Sequence, residues 1–304
     1  MSDSLPPNSP SSHSTPHSSR YGPRRFERGN GVHMNCHAAI EVDTDESGQS
    51  WVSRLRRDGP LVPREMGIYG FEPYIQKSPQ AVRVALTTAA AGPLGGDNYQ
   101  LDIRVGAGAT LFLREVSASL ILPGAHGAES RWVNNVVLEE GATLVWVPEP
   151  FIAARGCRHF HDVQIEMADS ARLFYREELV LGRNGEAPGN LVSRLSVRSP
   201  DGRAITQQQF DIGPRAIGYA SPAVVDKHRG VGSIVVVSPE GGLPTKAAMF
   251  GPFTGLFPIS ENVTQINAVA DDAVELKKRL NTALTPLGPP WSSPNSEEWS
   301  AMPG

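Results

Sequence analysis

Along Leu173, Tyr175, Glu177, Leu179 and Leu181 the odd positions of a strand-like run form one apolar face, and a carboxylate sits in its middle. Arg172, Arg176 and Glu178 fall on the opposite face. An inward carboxylate demands a partner or a hydrated space, because a lone buried charge either takes up a proton or destabilises the fold. A structural ion pair and a strand end where Glu177 escapes to solvent both meet that demand. The preceding run repeats the anomaly. Val163, Ile165 and Met167 define a face that, extended backwards, holds Cys157, His159 and His161. Side chains two apart on a strand stand roughly 7 Å apart at their bases, so His159 and His161 can reach one metal ion; core or hydrogen-bonded histidines fit the same spacing. Gly95-Gly96-Asp97 precedes another strand-like run, and Asp97 shares the parity of Tyr99 and Leu101. Two glycines followed by Asp commonly form a tight turn with a side-chain cap.

Those residues need strands to aim them, and the chain supplies strands in a repeat. Val105-Gly-Ala-Gly-Ala-Thr-Leu-Phe-Leu, Leu138-Glu-Glu-Gly-Ala-Thr-Leu-Val-Trp and Met167-Ala-Asp-Ser-Ala-Arg-Leu-Phe-Tyr each read as strand end, small or acidic turn, Ala, new strand. They recur at about the period of stacked coils. A fainter fourth copy starts at Val197, with Asp-Gly in its turn. Further strands are expected over 81–86, 99–105, 131–138, 143–147 and 161–167, with a long one over 111–122 that bends near Ser117. The fold class is therefore all-β: a β-helical, solenoid-like stack of strands with one or two peripheral helices. The clearest helix is capped by Asp271 or Asp272, carries Val274, Leu276, Leu280 and Ala283 on one face, and stops before Pro286.

Composition divides the 304 residues into a Ser/Pro-rich arm over 1–50 that is expected to be disordered, a β domain over 51–291 and a Ser, Pro and Glu rich tail over 292–304 that is expected to be mobile. Strand-like alternation begins between Val32 and Trp51, within the end of that arm. His33, Cys36 and His37 lie there, close enough in sequence to share a metal ion. Net charge of -4 argues against a nucleic-acid surface. Two cysteines, Cys36 and Cys157, make no disulfide scaffold, and no apolar run reaches the length of a membrane span, so a cytoplasmic protein is expected. Neither a phosphate-cradling loop with Gly-Lys-Ser/Thr nor His-Glu-x-x-His, Gly-x-Ser-x-Gly or paired Cys-x-x-Cys occurs. Gly106-x-Gly108 is turn chemistry between strands.

The stretch from Gly92 through Gly95-Gly96-Asp97 to Leu111 resembles the Gly-Gly-Asp segment and following strand of the urease accessory protein D family. Leu144-Val-Trp-Val-Pro-Glu-Pro is similar to that family's Leu-Glu-Trp-Leu-Pro-Gln, and Glu177-Glu-Leu-Val-Leu-Gly182-Arg183 to its acidic residue before Leu-x-x-Leu-Gly-Arg. Arg56-Arg-Asp-Gly-Pro-Leu and the closing Leu-Gly-Pro-Pro-Trp291 extend the likeness from about Arg56 to Trp291. The chain departs from the family pattern before Gly95, where Thr87-Thr-Ala-Ala-Ala-Gly replaces His-Pro-Pro-Gly-Gly. It departs again at Ser119-Leu-Ile-Leu, at Val145, where a glutamate is usual, and at Gln208, which takes the place of a later family glutamate.

The resemblance implies a non-enzymatic scaffold that binds apo-urease and the accessory proteins F and G, the latter a GTPase. It also implies an internal water-filled passage for nickel in transit, with Asp97 and Glu177 as passage residues and no permanently bound cofactor. Two other readings compete: a β-solenoid carbohydrate-active enzyme using Asp97 and Glu177 as paired carboxylates, and a plain protein-interaction repeat.

Overall fold

The computed structural model describes residues 33–67, 80–288 and 290–291. The arm before His33 and the tail after Trp291 lie outside the described residues. The first strand among the described residues is β1 (Asn35–Thr44), inside the segment assigned by composition to the arm. Ala38, Ile40 and Val42 are fully buried there, so a short alternating apolar run overrides the polar composition around it.

Strand β1 and its antiparallel neighbour β2 (Ser50–Arg56) edge a seven-stranded sheet completed by β5 (Asn98–Val105), β8 (Ser130–Leu138), β11 (Arg158–Met167), β13 (Asn190–Arg198) and β14 (Ala204–Ile212). A second, eleven-stranded sheet contains β3 (Leu61–Glu65), β4 (Val82–Thr88), β6 (Thr110–Glu115), β9 (Thr143–Val147), β12 (Arg172–Leu181) and β15 (Gly230–Val237). Its remaining strands are β7 (Ser119–Ile121), β10 (Phe151–Ala153), β16 (Ala248–Met249), β17 (Thr254–Ser260) and β18 (Val263–Ala270).

The chain crosses from the first sheet to the second at β5–β6, β8–β9 and β11–β12, and like strands stack in parallel: β5, β8, β11 and β13 in one sheet, β4, β6, β9 and β12 in the other. Val105 pairs with Leu138 and Leu138 with Met167, so the three repeat copies stand in register. Their turns stack as well, through Glu139 N–H to Val105 O at 3.0 Å and Ala168 N–H to Leu138 O at 2.9 Å. This is solenoid-like stacking of coils.

The fourth copy behaves differently. Val197 pairs with Ile165, and the Ser199–Gly202 turn returns the chain antiparallel into the same sheet as β14. Asp201-Gly202 closes a hairpin and ends the parallel stack. The long strand expected over 111–122 breaks at 116–118 into β6 and β7, as its bend required.

Helix α1 (Ala273–Ala283) is the one α-helix among the described residues. Asp272 caps it, accepting the Glu275 N–H at 2.8 Å. Leu276, Leu280 and Ala283 are buried, whereas Val274 is 80% exposed. At about 3.6 residues per turn Val274 lies on the far side of the helix from Leu276, which corrects its placement on the buried face. The molecule thus has two apolar layers: one between the sheets, and one between the second sheet and α1, where Phe174, Ile234 and Ile266 meet Leu276 and Leu280.

Candidate functional site

Strand parity places Glu177 as expected, between the sheets with Leu173, Tyr175 and Leu179, and only 4% exposed. The opposite face of β12 is covered too. Arg176 and Glu178 are 1% and 4% exposed. Arg176 Nε donates to Glu178 Oε1 at 2.6 Å and its Nη1 to Asn281 Oδ1 of α1 at 2.7 Å. Facing away from the inter-sheet core here means facing the α1 layer, which strand periodicity alone does not reveal.

Glu177 is held from the first sheet. Ser193 on β13 donates its hydroxyl to Glu177 Oε1, and His161 Nδ1 on β11 lies 3.3 Å from the same oxygen. Trp132 Nε1, which can only donate, fixes Asn134 Oδ1 as acceptor at 3.0 Å; Asn134 Nδ2 therefore donates to His161 Nε2 at 2.9 Å. That orientation puts the His161 proton on Nδ1, aimed at Glu177. The hydrogen-bond chain Trp132–Asn134–His161–Glu177–Ser193 crosses the buried space from sheet to sheet.

The chain extends in both directions. Trp132 packs edge-on to Tyr99 at 5.5 Å, and the Tyr99 hydroxyl donates to Asp97 Oδ2 at 3.3 Å. Asp97 also accepts the backbone N–H groups of Met34 and Leu94, each at 2.9 Å, so it caps the turn and faces the interior together. On the other side Ser233 pairs with Glu177 across β15 and accepts from Gln208 Nε2 at 2.8 Å. Gln208 Oε1 accepts from Gln265, which also donates to Asn267. Gln208, Gln265 and Asn267 are half-buried, so the polar line leaves the core at the β14–β18 side.

His159 and His161 stack at 6.5 Å but do not act together. His159 Nδ1 bonds to Ser130 Oγ at 2.8 Å. Burial first, and His161 second, push the His159 pKa down to about 3, so it stays neutral. The Cys157 thiol is pushed up to about 11, by burial above all, and points to Asn190 O. Cys157, His159 and His161 thus share a face without converging. Among the described residues no group of three or more His, Cys, Asp or Glu side chains could hold a metal ion. His37, from the arm cluster, bonds Asp102 at 2.5 Å instead.

The motif glycines are architectural. A Cβ on Gly95 would strike the backbone of Gly124, and Gly96 has φ +101. Gly182 has φ +79 and leaves no room beside Glu186 O, while Arg183 pairs with Glu186. Together they close the turn after β12.

Glu115 was missed. It is 4% exposed on β6, with the inward parity of Leu111 and Leu113. It accepts a backbone hydrogen bond from Glu149, and its Oε2 has no partner. Burial, then the Glu149 carboxylate, push its pKa up to about 8. Burial, followed by Glu177 and Glu115, holds the Tyr175 hydroxyl well above its usual range, which places both glutamates within electrostatic reach of that side chain. Three more inter-sheet polar atoms, Ser119 Oγ, Trp146 Nε1 and His159 Nε2, are buried with no protein partner. The Leu111, Leu113, Glu115 alternation was visible in sequence but was masked by treating 111–122 as one strand.

Fold and site together define a two-sheet β-solenoid-like protein whose interior is threaded by neutral polar groups and carboxylates, without a chelating cluster among the described residues. A model of the UreD urease accessory protein family matches residues 36–296. Urease accessory protein UreD of Streptomyces avermitilis is 37% identical over 83% of this chain and 96% of its own length. The corresponding proteins of Parafrankia sp. and Streptomyces coelicolor are each 36% identical, over 82% and 84% of this chain and 87% and 97% of theirs. The chain belongs to the UreD urease accessory protein family, which gives it a role in urease maturation. No described helix is long and apolar enough to cross a membrane.

Proposed function

We propose that this chain is a non-enzymatic cytoplasmic scaffold that binds apo-urease and the accessory proteins F and G, and conducts nickel ions through the space between its sheets. Nickel is cargo here, not a resident cofactor. The observation that carries the reading is the buried hydrogen-bond chain Trp132–Asn134–His161–Glu177–Ser193, with the Asp97–Tyr99 pair packed against its Trp132 end and the Ser233–Gln208 pair beside Glu177 on β15. A core built only for stability has no use for such a line, since each buried polar group costs free energy unless fully paired. Four buried polar atoms without protein partners support a hydrated interior. Single carboxylates, an imidazole and amides bind a borderline divalent ion loosely, which suits transit.

A carbohydrate-active enzyme is less well supported. Asp97 and Glu177 are each 4% exposed, and two of Asp97's bonds are to backbone N–H groups, whereas a sugar cleft needs open carboxylates. The test is Glu177→Gln, which keeps volume and hydrogen bonding while removing charge. Co-purification with urease and its accessory proteins should persist while nickel content and activity of co-expressed urease fall; Asp97→Asn should show the same split more weakly. Full activation by both single substitutions and by the double would refute the passage.

A further inference from the structure

The protein grips Glu177 by one oxygen. Ser193 Oγ donates to Oε1, and His161 Nδ1 lies 3.3 Å from Oε1 and 3.3 Å from Ser193 Oγ. Oε2 takes no hydrogen bond among the described residues. Unlike Oε2 of Glu115 and of Glu178, it is also not closed in by the core. One carboxylate oxygen is therefore fixed and the other left open.

The grip depends on which nitrogen of His161 carries the proton, and the two ends of the ring agree. At Nδ1, the single Ser193 hydroxyl proton is committed to Glu177, so Ser193 Oγ and Glu177 Oε1 both accept and the ring must donate. At Nε2, the order is set from Trp132. Its Nε1–H can only donate, so it takes Asn134 Oδ1 and turns the amide Nδ2–H towards His161. A neutral imidazole meets both ends in one tautomer, since the bond at one nitrogen sets the proton at the other. Phe151 packs against the Trp132 and His161 rings at 5.5 and 4.7 Å and keeps them in place. Trp132, Asn134, His161 and Ser193 are all at most 3% exposed, which leaves water little part in the choice.

We propose that Trp132 and Asn134 are positioning residues for Glu177: they hold the His161 proton on Nδ1, so that His161 and Ser193 keep Oε1 and Oε2 stays turned to what moves through the interior. The proposal rests on the passage reading above. Both residues act through His161, and Trp132 does so from three hydrogen bonds away. Without the indole N–H, Asn134 Oδ1 is a buried acceptor with no donor, which is costly. The amide recovers a bond by turning over and drawing the imidazole proton to Nε2. Nδ1 then faces Oε1 as a second acceptor, and the carboxylate loses its fixed orientation.

The experiment records nitrogen–proton correlation spectra of the purified full-length chain, labelled with nitrogen-15 in its histidines, at pH 8. Loss of signals in His161→Asn identifies those of His161. The wild type should carry this proton on Nδ1. Trp132→Phe, which keeps an aromatic ring against Tyr99 and Phe151, should bring up a second population with the proton on Nε2. Asn134→Asp, which offers Nε2 only an acceptor, should also bring a proton there; if that variant does not fold, Trp132→Phe decides alone. Both should lower activation of co-expressed urease towards the level of Glu177→Gln while co-purification with urease persists. A wild-type proton on Nε2, or variant spectra with His161 unchanged, would overturn the proposal. So would full activation by Trp132→Phe with its proton moved, where Glu177→Gln still lowers activation; the passage would then stand without this positioning pair. Full activation by Glu177→Gln, Asp97→Asn and their double would remove the passage, while a moved proton in Trp132→Phe would still uphold the control of His161 by Trp132 and Asn134.

Discussion

Glu115→Gln should raise stability, against the usual direction for a substitution in a core, and only at the right pH. The carboxyl has a pKa of about 8 in the folded chain against 4.5 for the free group, with burial as the main cause and Glu149 as the second. Between those values the folded state holds a proton that the unfolded state has released. Stability therefore falls as pH rises from about 4.5 to about 8, and is flat on either side. The loss amounts to roughly 3 kcal/mol at pH 7 and at most about 5 above pH 8. Glutamine has the same shape, still accepts the Glu149 N–H, and is neutral at every pH. Its amide replaces an oxygen that already lacks a protein partner, so the cost of an unpaired group is present in both proteins. At roughly 2–4 °C per kcal/mol for a domain of this size, the variant should melt roughly 9–17 °C above the wild type at pH 8. Near pH 4.5 the two should coincide. Thermal melts followed by circular dichroism at pH 4.5, 6, 7 and 8 provide the assay. A variant that melts below the wild type at pH 8, or an offset that does not change with pH, would refute the reasoning.

Other expectations follow from the same geometry. His159 is neutral in the fold, with a pKa of about 3, and charges near 6.5 once unfolded, so its contribution is present above pH 6.5 and lost as pH falls towards 3; His159→Leu should flatten the acid limb by roughly 2 kcal/mol at pH 5, and an unchanged limb in urea melts would contradict this. Arg176→Met strands the buried Glu178 carboxylate beneath α1 and should cost about 3–5 kcal/mol, whereas Arg176→Met with Glu178→Leu should recover most of it; a double variant as unstable as the single would show that the pair is not the source. Asp97→Asn removes one acceptor for the Met34 and Leu94 N–H groups and should cost about 1–3 kcal/mol, more than Glu177→Gln, by chemical denaturation of the two proteins side by side. With no phosphate-cradling loop in the sequence, the isolated chain should show no saturable GTP binding by calorimetry.

What the sequence determined is what a single strand or a single turn determines. Side chains alternate along a strand, so the inward placement of Glu177, Cys157, His159 and His161 was readable from their apolar neighbours. Turn chemistry repeated at coil spacing, so the register of Val105, Leu138 and Met167 was readable as well. The Asp271-Asp272 pair announced the start of α1 in the same local way, and the hydrogen bond to Glu275 N–H decides for Asp272. Where a local rule was misapplied, as with Val274 on the helix or Glu115 inside an over-long strand, the error was also local.

Only the tertiary structure decided what each inward residue meets. His161 reaches Glu177 because β11 and β12, consecutive in the chain, lie in opposite sheets with their inner faces opposed; Ser193 joins them from β13, 16 positions beyond Glu177. Nothing along one strand encodes that meeting. Nor does periodicity distinguish a face turned to water from one covered by a helix nearly a hundred residues later, which is why Arg176 and Glu178 are buried against Asn281. The pattern of a strand fixes which side a group takes; the stacking of layers fixes whether that side holds a partner, a second carboxylate or solvent, and with it the charge the group carries.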